Sequence, residues 1–363
     1  MKALILTQQE WGTMWVSKQH YALQLSKMGY DVYFLNPLSY SDWKFRRPAF
    51  KKIMSPFYSI HIIHQNLFFP QKLKFHIPSI YKWLIQYHVR LLEKKIGPFD
   101  LVWSFDLADA LPLKFFSNAS KKIFFAADWP ANEQAVLAAD GADVIVSVAQ
   151  EILDLYKRFQ SADLKLVPHG VGQCFFDAAA MPYSKPDQKI RIGMSGNFLR
   201  PDIDRPTLLK IIKSHTELVF ECFGSFQSQH SNLGGGADTE TQSFISELLA
   251  QSNVIMHGML TPIQLAQELR RMDLFFICYD VAKDQSKGTN YHKVMEYLVY
   301  SKPIVTNFVS SYTHLPDRIF MPTTTENTEL PNLFESTLQK LPIELERIEV
   351  KGYGEVLNHI IDF

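Results

Sequence analysis

The chain has 363 residues, 47% hydrophobic and 20% charged, enough for two domains with substantial apolar cores. Its 37 Lys and Arg balance 37 Asp and Glu, which provides no global attraction to nucleic acid. Three scattered cysteines, Cys174, Cys222 and Cys278, form no C-x-x-C pair and argue against a disulfide framework or a zinc site.

In chain order, "KALILT" (2–7) predicts a strand, "SKQHYALQLSKMGY" a helix stopped by Gly29, and "DVYFLNP" a buried strand closed by Pro37. This is a βαβ unit. Strand signals recur at 99–105, 121–128, 143–149 and 164–171, with helical stretches between several of them. "PYSKPDQK" (182–189) has linker composition, and the pattern then restarts. "IRIGMSG" (190–196) is a new first strand. "DRPTLLKIIKSH" (204–215) is its helix, with Asp204 as N-cap and Pro206 in the first turn. Further strands are predicted at 217–224, 253–258, 273–279 and 302–307, and a helix at 261–272. The Gly-rich stretch 227–242 reads as a surface loop, not a phosphate cradle, because its glycines join no strand to a helix. The last 30 or so residues read as helical. Strands alternating with helices imply parallel sheets covered on both faces, in two α/β halves. The charge divides with them: residues 1–185 carry 21 basic and 15 acidic side chains, residues 186–363 carry 16 and 22.

Ligands of open parallel sheets bind beyond the carboxyl ends of the strands. After the strand at 190–195 come Gly196, Arg200 and Arg205 beside a helix start, a set suited to a diphosphate; a simple turn with solvated arginines is the alternative. No G-x-G-x-x-G fingerprint accompanies either first turn, which disfavours a dinucleotide. In "NYHKVMEYLVYSKPIV" (290–305), Lys293 and Glu296 share a helix face. Lys293 can neutralise a phosphate, and Glu296 can accept from a ribose diol. A carboxylate among Val294, Met295, Tyr297 and Leu298 is costly without such a partner; a plain ion pair with Lys293 is the alternative.

"IRIGMSGNF", "VFECFGSF", "NVIMHGMLTPIQLAQELRRMDLFFICY" and "NYHKVMEYLVYSKPIVTN", in that order, resemble the C-terminal domain of GT-B glycosyltransferases of the group 1 kind. "KQHYALQLSKMGYDVYFLNP" and "VPHGV" are similar to the same family, so the resemblance spans nearly the whole chain. It implies an α/β protein of two Rossmann-like domains facing across a cleft. An acceptor domain covers 1–180, a nucleotide-sugar domain 188–340, and a helical segment 341–363 is able to return to the first. By the resemblance Glu296 binds the nucleotide ribose and Lys293 lies near the diphosphate, with Asn290 leading into that helix. Gly196, Asn197 and Arg200 match the first phosphate loop. Gly224, Ser225 and Phe226, with His257, Gly258 and Met259, border the base. Many retaining members carry a second Glu eight positions before the ribose-binding one; Gly288 stands there in this chain.

The implied activity is transfer of a sugar from a nucleoside diphosphate sugar, of UDP or GDP type, to a glycan or lipid-linked acceptor in cell-surface polysaccharide synthesis. A nucleotide-sugar epimerase and a non-catalytic glycan- or partner-binding member are the alternatives. No cofactor or metal is expected, since no strand-end D-x-D occurs and the His are scattered. The catalytic base is sought past strand ends of the first half. Asp128 in "FFAADWP" is preferred because the end of an apolar strand would partly desolvate it and raise its pKa. His169 in "VPHGV" is the second candidate; Asp106, Glu10 and Trp11 are the others considered.

Residues 42–95 hold eleven Lys and Arg against two acids, interleaved with aromatics, as suits an anionic membrane surface; a solvated basic face over a packed helix is the alternative. "MKALILTQQEW" lacks a signal-peptide pattern, and no apolar run of about 18 residues occurs. The expectation is a cytoplasmic protein, peripheral at the cytoplasmic membrane face, with no nucleic-acid partner.

Overall fold

Most of the apolar runs become parallel strands whose two faces are both covered, so their sequences do not alternate with polar residues. The computed structural model describes residues 1–12, 15–38, 49–54, 59–185, 187–227 and 238–361. The chain divides into two compact units, Met1–Pro168 with Leu357–Phe363, and His169–Val356.

The first unit is built on eight strands: β1 (Lys2–Leu6), β2 (Asp31–Leu35), β3 (Ala49–Met54), β4 (Ile60–Asn66), β5 (Leu101–Ser104), β6 (Lys121–Ala126), β7 (Val144–Ser147) and β8 (Asp163–Leu166). Their order is β3-β4-β2-β1-β5-β6-β7-β8, parallel except for β3, which runs antiparallel to β4. In register, Ile5 lies opposite Phe34 on one side and Trp103 on the other. The predicted helix runs Ser17–Lys27, and Gly29, at φ +88°, turns the chain into β2. The helix Pro78–Ile96 buries Tyr81, Ile85, Val89 and Leu92 in the core. Strands β3 and β4 were not anticipated. β4 ("IHIIHQN") mixes His and amides into its apolar pattern, and burial of His61 is permitted by Asp31, 2.5 Å away. Lys165 on β8 donates to the carbonyls of His359 and Ile360, joining the end of the last helix to this unit.

The second unit has six strands: β9 (Arg191–Ser195), β10 (Val219–Phe223), β11 (Val254–Gly258), β12 (Leu274–Ile277), β13 (Ile304–Thr306) and β14 (Ile319–Phe320). All are parallel, in the order β11-β10-β9-β12-β13-β14. The helix Arg205–Ser214 is capped by Asp204, whose carboxylate accepts from Thr207 N at 3.1 Å. Thr261 caps Pro262–Leu269 in the same way. The helix Gln173–Ala180 packs against Pro262–Leu269 and belongs to this unit.

Two expectations are corrected. The stretch read as a loop over 227–242 ends earlier, because Asp238 caps a helix that starts at Thr239; residues 228–237, with the glycine run, lie outside the described residues. The C-terminal stretch is not one helix. The helix Leu330–Leu338 stops before Pro342, and the next begins only at Tyr353.

In each sheet the chain fills one side of the first strand and then reverses. The reversals fall between β1 and β5 and between β9 and β12. Loops diverge there at the carboxyl ends, which opens a crevice for ligands.

Candidate functional site

In the second unit the reversal brings Ser195 and Gly196, at the end of β9, beside Cys278 and Tyr279, at the end of β12. These residues, with Asn197 and Lys293, line a small open pocket. Lys293 spans the gap. Its Nζ donates to Ser195 O and, at 2.6 Å, to Tyr279 Oη, and lies over the Tyr279 ring. Tyr297 Oη accepts from Ser195 N at 2.7 Å, so the same helix holds the loop at two points.

Three glycines terminate the adjacent strands. Gly196 N donates to Phe223 O and Gly224 N to Gly258 O, both at 2.8 Å. All three have positive φ, at +147°, +134° and +75°. A Cβ on Gly224 would collide with Gly196 O, and one on Gly196 with Lys293 Nζ. The ends of β9 and β10 can therefore approach this closely only with glycine at 224.

The two arginines expected at this turn are committed within the unit. Arg205 is buried against Glu240, Thr241 and the Phe244 ring, so it braces two helices and leaves the loop. Arg200 lies over Tyr279 and is held by the buried carboxylates of Asp202 and Asp284, its Nε 2.8 Å from Asp202 Oδ1. Asp284 also accepts from Ser286 Oγ, Gly288 N and Tyr291 Oη, and so organises the loop before the Lys293 helix.

Glu296 is buried, and its nearest basic side chain is His292, whose Nδ1 lies 3.6 Å from Oε1. Among the described residues no hydrogen-bond donor reaches this carboxylate. Burial pushes its pKa up, opposed by His292 and Lys293. The expected alternative of an ion pair with Lys293 is therefore corrected: the ammonium turns to Ser195 and Tyr279 instead. His292 Nε2 lies 2.6 Å from Tyr353 Oη and 3.2 Å from Gly170 O. His169, whose ring is 5.3 Å from that of His292, is buried with an unpartnered Nδ1. Burial, then His292, hold it well below the usual histidine range, so it is neutral.

Of the residues expected around the base, Ser225 is buried and donates to Gln227 O at 3.3 Å. His257 stacks on Phe223 and pairs with the buried Glu221 at 2.9 Å, which Arg191 also contacts. Asn290 is buried and accepts from Tyr312 Oη at 2.6 Å.

In the first unit Gln8, after β1, donates across the reversal to Asp106, after β5. Asp106 is buried and also accepts from Ala108 N and Ala110 N, so it caps its own turn. Lys18, in the first turn of the helix after β1, donates to Gln9 Oε1. Burial lowers its pKa to about 8, with Asp128 and then Asp106 opposing. Asp128 itself is exposed, so the expected desolvation is corrected: β6 ends at Ala126, and the chain emerges into solvent before the carboxylate. Asp109 combines a positive φ of +52° with a pKa that burial, then Asp106, push up to about 7.

No protein-family model and no curated protein matches the sequence significantly. Solved structures do. An E. coli structure described as trehalose-6-phosphate bound with UDP-2-fluoro glucose matches at a TM-score of 0.63 and 10% identity, covering 100% of this chain and 96% of that one. Anabaena Alr3699/HepE, solved in complex with UDP and glucose, matches at 0.61 and 15% identity, covering 99% and 95%. WaaG, a glycosyltransferase involved in lipopolysaccharide biosynthesis, matches at 0.60 and 13%, covering 100% and 95%. The chain has the GT-B fold. Within this GT-B chain Gly288 has a structural reason. Its φ is +66°, its N–H serves Asp284, and a Cβ would strike Phe308 O. The sequence did not single out Tyr279, Tyr297, Asp284 or Lys18. Only their positions just past strand ends, or one turn from Lys293, could have drawn attention to them.

Proposed function

We propose that the chain is a glycosyltransferase. It moves a sugar from a nucleoside diphosphate sugar of UDP or GDP type to a glycan or lipid-linked acceptor, in cell-surface polysaccharide synthesis and without a metal. The observation that carries this reading is Glu296, a buried carboxylate with no hydrogen-bond donor among the described residues, one helical turn from Lys293. Such a group is costly until a ligand supplies donors, and a ribose diol supplies two. The neighbouring backbone of Gly196 and Asn197, and the Lys293 ammonium, suit a diphosphate. That HepE was solved with UDP and glucose, and that WaaG acts in lipopolysaccharide biosynthesis, support the donor class and the setting.

In this mechanism the acceptor, held by the first unit, attacks the anomeric carbon. A bond forms from its hydroxyl oxygen to that carbon. The bond to the diphosphate breaks, and the electron pair leaves with the phosphate oxygen. Lys293 offsets the charge developing there. Asp128 takes the hydroxyl proton; His169 is the second candidate for that role. The enzyme works at the cytoplasmic membrane face, contacted through the region 42–95, of which residues 42–48 and 55–58 lie outside the described residues.

Thermal melting against a panel of nucleotide sugars tests the reading, because a ligand that binds only the native state raises its melting point. One UDP- or GDP-sugar should raise it, and Glu296→Ala should abolish the rise. A flat response across the panel would refute the assignment.

A further inference from the structure

The helix Pro78–Ile96 is two-sided in an unusual way. Its inner face is core. Its outer face carries Ile80, Trp83 and Tyr87 on successive turns, with Trp83 64% exposed and stacked on Tyr87 at 6.2 Å. Just before it, Phe75 is 79% exposed and Ile77 is exposed as well. Together these form an apolar, aromatic surface that folding leaves in water, which marks an interaction site.

The charge around it selects the partner. Arg90, Lys94 and Lys95 follow at the carboxyl end of the helix, all exposed. The single acid of the segment 72–95, Glu93, is buried and accepts from Asn118. A second copy of the chain would bring like charges together across a two-fold contact. An anionic bilayer meets both features, since Trp and Tyr settle at the headgroup level and each basic side chain near the surface adds attraction. Among the described residues no helix is long and apolar enough to cross a membrane.

We infer that the outer face of the helix Pro78–Ile96, with Phe75 and Ile77, seats in the interfacial layer of an anionic membrane and fixes the sheet above it. Lys74, immediately before Phe75, donates to Ala108 O at 3.1 Å. The docking segment is thereby tied to the loop after β5, where the first sheet reverses. A lipid-linked acceptor would rise from the membrane beside that loop. The inference rests on the membrane contact proposed above and narrows it to one face.

The test is co-sedimentation of the full chain with phosphatidylcholine vesicles, with and without phosphatidylglycerol, at low and high salt. Wild type should bind only the anionic vesicles and be released by salt. Trp83→Ser with Tyr87→Ser should weaken binding at least about tenfold. Arg90→Glu, Lys94→Glu and Lys95→Glu together should abolish it. All these positions are exposed, and an unchanged far-UV spectrum with an unchanged nucleotide response confirms folding. If wild type bound but the aromatic variant bound equally well, the face would be wrong while the membrane reading stood. If wild type ignored anionic vesicles, both would fail. If the aromatic substitutions instead changed the sedimentation coefficient of the free protein, the face would be a self-association surface and the inference would be overturned.

Discussion

Lys293 and Glu296 lie three residues apart on one helix and do not pair. The ammonium donates to Ser195 O and Tyr279 Oη, while the carboxylate stays buried with His292 3.6 Å away. One helix thus presents a cation already fixed in place and an anion still short of hydrogen bonds.

That asymmetry predicts opposite effects on binding and on stability. Glu296→Gln should weaken nucleotide binding by about 1.5–3 kcal/mol, the range for a hydrogen bond to a charged group, measured by calorimetric titration with UDP or GDP. The free protein should not lose stability. A carboxyl whose folded pKa is raised binds protons in the native state that the unfolded state has released. Stability therefore falls as pH rises from the ordinary glutamate value of 4.5 through the folded-state value. Urea unfolding of Glu296→Gln should lack that part of the pH dependence.

Two glycines with left-handed φ should respond very differently to alanine. At Gly29 a Cβ meets nothing within 4 Å, so the cost is that of the backbone alone, about 1 kcal/mol. At Gly224 the Cβ would collide with Gly196 O and push apart the ends of β9 and β10. Gly224→Ala should cost about 3 kcal/mol or more and unfold much of the second unit, read from denaturant midpoints.

Asp128→Asn should reduce transfer by about 10²–10⁴, the usual contribution of a general base, and leave nucleotide affinity unchanged. Because Asp128 is the larger of the two charges that raise the Lys18 pKa, the same substitution should move that ammonium further below about 8. A titration of methylated Lys18 by NMR separates this from a folding defect, which would abolish the signal.

Acid should destabilise the first unit through His88. Burial holds its pKa at about 4 against the ordinary 6.5. The unfolded chain takes up this proton first, so stability is full above pH 6.5 and is lost as pH falls towards 4, by ~3 kcal/mol in all. His88→Gln should flatten that interval in urea titrations at successive pH values.

The parallel strands were legible because a strand buried on both faces must be an apolar run, and the runs at 3–6 and 274–279 are unbroken. β3 and β4 were hidden because His61 and the amides of β4 are tolerated only through partners elsewhere, such as Asp31 and His88. The glycine turns could be read singly, but not their stacking. Asp128 was misjudged for burial because one or two residues past a strand end decide whether a side chain faces the core or water.

The sequence by itself determined the succession of two α/β halves and the helix carrying Lys293 and Glu296, since periodicity and local turn chemistry act over neighbouring residues. Only the tertiary structure decided which charges meet. Arg200 was given to buried carboxylates, Arg205 to the exposed Glu240, Lys293 to the gap between β9 and β12, and Glu296 was left without a donor among the described residues. Charge pairing depends on distances that the sheet order sets, and residues about a hundred positions apart cannot report those distances in a linear chain.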